Sequence, residues 1–223
     1  MSDYSIEAVV SPPFEQVTYV IWRRGRTDAI VADPGFDVGG IESILARHSL
    51  RVAVILNTHG HADHIAGNAP MKAAHPDAPL WIGRNDAVML ASAEANLSAS
   101  FGMPLTSPPA DRLLDDGERL ELAGFSVEIR EIPGHSPGSI VAVFDEFDPP
   151  FVVGGDVLFA GSVGRVDFPG GSGPALLRGI KTRLFDLPDG TLVLPGHGSP
   201  TTIGQEKATN PYVGESAGIH RLD

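Results

Sequence analysis

Short runs and alternations of apolar residues recur along the chain, and this pattern is typical of strands. The runs are bounded by Gly, Pro or Asp, which are the residues that turns favour. The predicted strands are Ile6–Val10, Val17–Arg23, Ala29–Ala32, Val52–Leu56, Leu80–Ile82, Arg119–Leu122, Ser126–Ile132, Ile140–Phe144, Phe151–Val153 and Thr191–Leu194.

Apolar residues at helical spacing separate several of these strands. Ile41, Ile44 and Leu45 would share one face of a helix, and Pro174 stands where the first turn of a helix tolerates proline. The predicted helices are Val38–His48, about Ala69–Ala74, Asn85 to about Ala95, and Pro174–Phe185.

Strands and helices occur in two similar batches with no linker between them. The batches span about residues 1–110 and 111–223, and Pro133-Gly134-His135 in the second has an echo in Pro195-Gly196-His197. We therefore predict one α/β domain, with sheets packed between helices and with two related halves.

Composition narrows the function. The net charge of −12 argues against partners with phosphate backbones and against anionic membrane surfaces. The absence of cysteine excludes disulfides, thiolate metal sites and cysteine nucleophiles. We see no signal peptide at the start and no apolar run of membrane-spanning length. We expect a cytoplasmic protein with a small-molecule substrate and no nucleic-acid or membrane partner, either a monomer or a dimer.

The segment Thr58–His64 contains four groups that can bind metal within six positions, namely His59, His61, Asp63 and His64. Imidazole and carboxylate together suit zinc, iron or manganese. Four apolar runs end near a residue of this kind, and those residues are His59, His135, Asp156 and His197. Strand ends along one sheet edge bring distant residues into one cleft, so we expect all of these side chains to form one metal site.

These motifs resemble the metallo-β-lactamase-fold hydrolases, and among them the hydroxyacylglutathione hydrolase (glyoxalase II)-like branch in a compact bacterial subset. The resemblance extends from about residue 29 to residue 213. The matching stretches are Asp33-Pro34-Gly35, Thr58–His64, Gly134–Gly138, Gly155-Asp156, Gly164–Phe168, Pro195–Gly198, Thr201–Lys207 and Asn210–Tyr212. The fold that it implies is an αββα sandwich with the metal site at one edge of the sheets.

The resemblance also implies a role for each motif residue. One divalent ion would be held by His59, His61 and His135, and a second by Asp63, His64 and His197. Asp156 would bridge the two ions, which we expect to be zinc, with iron and manganese as alternatives. Asp33 would orient ligands from outside the ions. Arg165 is a candidate to bind substrate, although a packing role is equally compatible with an arginine there.

The implied activity is hydrolysis of a thioester similar to S-lactoylglutathione. A hydroxide that bridges the metals would attack the carbonyl carbon, and Asp63 is the candidate proton shuttle. The alternative is a persulfide dioxygenase with one iron, which shares the Gly-Arg-x-Asp-Phe stretch at Gly164–Phe168. A lactonase and a non-catalytic metal-binding module are further alternatives.

Two features bear on the substrate. β-Lactamases of classes B1 and B2 carry a cysteine ligand that this chain lacks, and class B3 lacks an aspartate at the position of Asp156. Only 26 residues follow His197, with Lys207 and Arg221 as their only lysine and arginine. We therefore expect the glutathione half of a substrate to bind weakly.

The remaining candidates have simpler interpretations. His48, His75 and His220 are expected at the surface or at helix ends, and Tyr212 is expected to pack rather than to react. The loop Asn96–Pro109 is either an access lid or a plain surface connection.

Overall fold

The computed structural model describes residues 3–215 and 217, and within them a first sheet has six strands in sequence order. The first three strands pair antiparallel, and from the third onward the pairing is parallel. The strands are β1 (Tyr4–Ser11), β2 (Gln16–Arg23), β3 (Asp28–Ala32), β4 (Arg51–Asn57), β5 (Leu80–Gly83) and β6 (Arg112–Leu114).

A second six-stranded sheet has the order β14-β13-β10-β9-β8-β7. Its strands pair antiparallel except for β10 and β13, which run parallel. A small hairpin follows β10. The strands are β7 (Arg119–Leu122), β8 (Phe125–Glu131), β9 (Ile140–Phe144), β10 (Phe151–Gly155), the hairpin strands β11 (Leu158–Phe159) and β12 (Ser162–Val163), β13 (Leu192–Pro195) and β14 (Thr201–Thr202).

Helices cover the outer faces of both sheets. Capping side chains start three of them, since Asp37, Ser172 and Thr202 each accept a hydrogen bond from a backbone N–H of the first turn. The helices are α1 (Val38–Arg47), α2 (Ala62–Ile65), α3 (Asn68–Ala74), α4 (Ala87–Leu90), α5 (Gly173–Arg183) and α6 (Ile203–Thr209).

Alternation along the strands divides the apolar residues among three layers. In β4, Val54 and Leu56 lie in the core between the sheets, whereas Ile55 faces the helices. Phe125, Phe144 and Phe151 fill the same central core and are fully buried. Burial of one such side chain contributes about 1.5–3 kcal/mol. The layers confirm the predicted αββα sandwich.

The helix predicted from Asn85 to about Ala95 is shorter than expected. A 3₁₀ turn at Arg84–Asp86 leads into α4, which ends at Leu90. Beyond it the chain coils around buried Asn96, whose side-chain amide donates to the carbonyls of Met89 and Leu105. This tertiary network replaces helical hydrogen bonds. The sequence analysis did not predict helix α6.

No helix among the described residues is long and apolar enough to cross a bilayer.

Candidate metal centre

Loops that follow four strand ends converge at one edge of the sandwich. His59 lies two residues after β4, and α2 carries Asp63 and His64. His135, Asp156 and His197 follow β8, β10 and β13 in the other sheet. The backbone is tight here, because a Cβ at Gly196 would overlap the Asp156 carboxylate and the His64 ring. The structure thus brings together every residue that the sequence proposed as a ligand.

Three histidines form a first group. One nitrogen each of His59, His61 and His135 lies within 4.8 Å of the others, and all three side chains are buried. His61 Nδ1 and His135 Nε2 are 2.9 Å apart. The group draws on both sheets, since His59 and His61 follow β4 and His135 follows β8.

Asp63, His64 and His197 form a second group within the same 4.8 Å limit. His197 Nε2 lies 3.2 Å from Asp63 Oδ2 and 3.4 Å from His64 Nε2. This group also spans the sandwich, because His197 comes from the second sheet and the other two residues follow the first.

Asp156 lies between the two groups. Its Oδ2 is 3.4 Å from His135 Nε2 and 3.5 Å from His197 Nε2, and its Oδ1 is 3.4 Å from His64 Nε2. One carboxylate therefore faces histidines of both groups, which is the geometry that a bridging ligand requires.

The outer ring nitrogens of four histidines have hydrogen-bond acceptors. His64 Nδ1 donates to Asp33 Oδ2 at 3.0 Å, and His59 Nδ1 donates to Thr58 Oγ1 at 3.2 Å. His135 and His197 donate to backbone carbonyls, those of Arg165 at 2.9 Å and Phe14 at 3.1 Å. With Nδ1 of each ring directed outward, Nε2 of each ring faces the centre and is the nitrogen that would bind a metal.

Asp33 is held firmly behind His64. Its carboxylate accepts hydrogen bonds from Thr58 N at 2.7 Å and Thr58 Oγ1 at 2.6 Å in addition to His64 Nδ1. Its backbone lies in the left-handed region at φ 50°, and its carbonyl accepts from Thr18 Oγ1. With its carboxylate oxygens engaged in this way, Asp33 orients the His64 ring.

Two buried polar atoms at the centre, His59 Nε2 and Asp156 Oδ1, have no hydrogen-bond partner within the part of the chain that the structure describes. A buried acceptor without a partner is costly, and a cation between the groups would satisfy both. Since neutral imidazoles and carboxylates are suitable donors for zinc, iron and manganese, the residues fit a pair of divalent ions.

In metal-free protein, the histidines of the two groups differ in their pKa values. Burial lowers the pKa of His59, and it lowers the pKa of His61 to about 3. Burial also opposes protonation of His64, but the carboxylates of Asp156, Asp63 and Asp33 raise its pKa to about 10. His59 and His61 are therefore neutral and ready to bind metal, whereas a metal that binds His64 must displace a proton.

Asp86 is a buried carboxylate that the sequence analysis missed. It accepts hydrogen bonds from Gly60 N at 3.0 Å, Gly138 N at 2.6 Å and Ser136 Oγ at 2.6 Å. It thereby ties the loop of His59 and His61 to the loop of His135. Asp86 could have been found from its position, because it lies three residues after β5, another strand that ends at the same edge.

A cavity of about 230 Å³ opens onto both groups. Phe14, Leu97, Phe101 and Phe168 line it, so the Asn96–Pro109 loop forms part of its wall. Arg165 also lines it, but its guanidinium makes two hydrogen bonds to Asp167 at 2.7 and 2.6 Å.

Three residues to which the sequence analysis gave a structural role lie as expected. His48 and His75 cap the C-terminal ends of α1 and α3 and contact Glu7 and Glu42. Tyr212 packs against the outer core of the second sheet. His220 and Arg221 lie outside the described residues.

Comparison with known proteins agrees with this geometry. Hydroxyacylglutathione hydrolase GloC from Haemophilus influenzae is 36% identical over 94% of this chain and 98% of its own. The B3 metallo-beta-lactamase BLEG-1 superposes with a TM-score of 0.89 at 33% identity, over 94% of this chain and 99% of that one. TTHA1623 in a di-iron-bound form superposes with a TM-score of 0.79 at 35% identity, over 92% and 99%. The family model of the metallo-beta-lactamase superfamily matches residues 11–197. The chain therefore belongs to that superfamily, as one of its metallohydrolases.

Proposed function

We propose that this protein is a thioester hydrolase of the glyoxalase II type that acts on substrates similar to S-lactoylglutathione. The observation that carries the proposal is Asp156, whose carboxylate faces histidines of both groups. Similarity to GloC along nearly the whole chain supports the reaction type. Two bound divalent ions would supply a water of lowered pKa and a Lewis acid for the carbonyl oxygen.

Each residue of the centre would have its own role around such a pair of ions. His59, His61 and His135 would hold one ion, Asp63, His64 and His197 the other, and Asp156 both. Asp33 keeps the His64 ring oriented through its hydrogen bond to Nδ1.

Asp63 is our candidate for proton transfer. It lines the cavity, and its Oδ2 is 3.2 Å from His197 Nε2. Burial alone would raise the pKa of Asp63, but His64 and His197 lower it, so the carboxylate is ionised at neutral pH. An ionised Asp63 could accept a proton from the attacking water and pass it to the departing sulfur.

The first test joins metal content to activity. Purified protein loaded with zinc, iron or manganese should contain two ions by mass spectrometry and should hydrolyse S-lactoylglutathione. His59→Ala should lose one ion and the activity. His75→Ala, which removes a histidine from the surface, should lose neither. If fewer than two ions bind under every loading condition, the two-ion proposal is wrong.

Persulfide dioxygenase activity is the second candidate, favoured by the Gly164–Phe168 stretch. It predicts one iron per chain and oxygen consumption with glutathione persulfide. The same substrate panel should include a lactone and a β-lactam, the latter because of the similarity to BLEG-1. Thioester hydrolysis without oxygen uptake would favour the first candidate.

A further inference from the structure

Beside the metal-binding groups, three phenylalanines line the cavity, namely Phe14, Phe101 and Phe168. Phe14 and Phe101 meet edge to face with ring centroids 5.3 Å apart, and Phe168 packs edge-on to His61 at 5.4 Å. Leu97 lies on the same wall. A ligand that reaches the centre therefore passes along apolar surface.

The aromatic surface continues beyond the cavity. Phe36 packs against Phe14 at 6.0 Å and is 36% exposed, and Phe101 is 49% exposed. Met103, two residues further along the loop, is 41% exposed. These are three of the five large hydrophobic side chains that the described residues leave exposed. Exposed apolar side chains beside a cavity are typical of a surface that binds apolar ligand groups.

The cavity offers a carboxylate few cationic side chains. Among the described residues that line it, Arg165 is the only lysine or arginine. Its Nε and Nη2 already donate to Asp167, which takes one of the two sides on which a guanidinium binds a carboxylate, and the guanidinium lies over the Phe168 ring, 4.0 Å from the ring centre. A glutathione arm, with its two carboxylates, would have to share Arg165 with Asp167.

We infer that the site prefers thioesters whose thiol arm is apolar and uncharged, an aryl or alkyl group that lies against Phe14, Phe101 and Phe168. This inference rests on the proposed thioesterase function and specifies its substrate class. Asp167 contributes to the preference because it occupies the Nε and Nη2 side of the Arg165 guanidinium and offsets its charge.

The test compares lactoyl thioesters of three thiols on metal-loaded protein. Benzyl mercaptan supplies an apolar arm, N-acetylcysteamine a small neutral arm, and glutathione an anionic arm. We expect kcat/KM to be at least about tenfold higher for the benzyl thioester than for the glutathione thioester, mainly through KM. Titration calorimetry with non-hydrolysable thioether analogues should show the same order of affinity in metal-free protein.

Two variants locate the preference. Phe101→Ala should lower kcat/KM for the benzyl thioester by about tenfold and lower it less for the N-acetylcysteamine thioester, because only the benzyl arm reaches the ring. Asp167→Asn should free Arg165 and improve the glutathione thioester without improving the benzyl one. Val88→Ala, which removes an apolar side chain that is 67% exposed and outside the cavity wall, is the matched control and should change nothing.

The outcomes separate this inference from the proposed function. If none of the thioesters is hydrolysed, the proposed function is wrong, and analogue binding still tests the cavity. If the glutathione thioester is the best substrate, or if Phe101→Ala affects all three equally, the inference is wrong and the thioesterase proposal stands. Each variant is checked for metal content and far-ultraviolet circular dichroism, so that unfolding is recognised.

Discussion

Removal of the Asp86 carboxylate should lower both the free energy of unfolding and the affinity for metal. In Asp86→Ala, three hydrogen bonds are lost at one buried point between the loops of His59 and His135. Ser136 Oγ keeps a partner in Ser139 Oγ, but Gly60 N and Gly138 N lose their side-chain acceptor.

The magnitude follows from those two N–H groups. Each buried donor without a partner costs about 1–3 kcal/mol, so the free energy of unfolding should fall by about 2–6 kcal/mol. An Asp115→Ala control removes a carboxylate that is 52% exposed and paired with Arg84 at 2.6 Å. Water screens an exposed pair, so the control should leave the free energy of unfolding nearly unchanged.

Urea unfolding of metal-free protein measures the difference without a contribution from bound ions. Zinc affinity, measured by competition with a chelator, should fall for Asp86→Ala and not for Asp115→Ala. The reasoning fails if Asp86→Ala loses less than about 1 kcal/mol, since every unpaired buried N–H should cost at least that much.

Three further predictions concern the centre itself. Asp33→Ala should weaken binding of one ion by about 10–100-fold, since the orientation of His64 is lost; chelator competition measures this, and unchanged affinity would contradict the assigned contact. The pKa of His64 in metal-free protein is raised to about 10, and the pKa of His197 is also raised, so affinity at the second group should increase with pH by at least about tenfold per unit below pH 10; a flat profile from pH 6 to 9 would refute the proton displacement. Gly196→Ala places a Cβ against Asp156 and His64 and should reduce bound metal, whereas Gly190→Ala, whose added Cβ meets Pro149 at an ordinary 3.5 Å, should leave metal content unchanged.

Much of the site could be predicted because strand ends are readable in sequence. The apolar runs before His59, His135, Asp156 and His197 mark buried strands, and sheets align such ends at one edge. The arrangement of Asp156 between the two groups required the resemblance, since spacing alone does not pair residues on different strands.

Tertiary contacts explain what the sequence did not reveal. Asp86 looked like part of a helix, because nothing local shows that its carboxylate serves backbone N–H groups near residues 60 and 138. Phe14 and Phe101 are 87 positions apart, and only folding brings the two rings together at the cavity. Helix α6 is short, and its packing under the second sheet rather than its periodicity stabilises it.

Each metal-binding group takes residues that follow strands of both sheets. Ions bound there would therefore link the two sheets at this edge of the sandwich. Ligand-linked stabilisation grows with occupancy and reaches about 4 kcal/mol when the free ion is at 1,000 times its Kd. A cell that withdraws metal would then loosen this end of the molecule as well as stop its chemistry. Metal supply would thus set the lifetime of the protein against proteases, in addition to its activity.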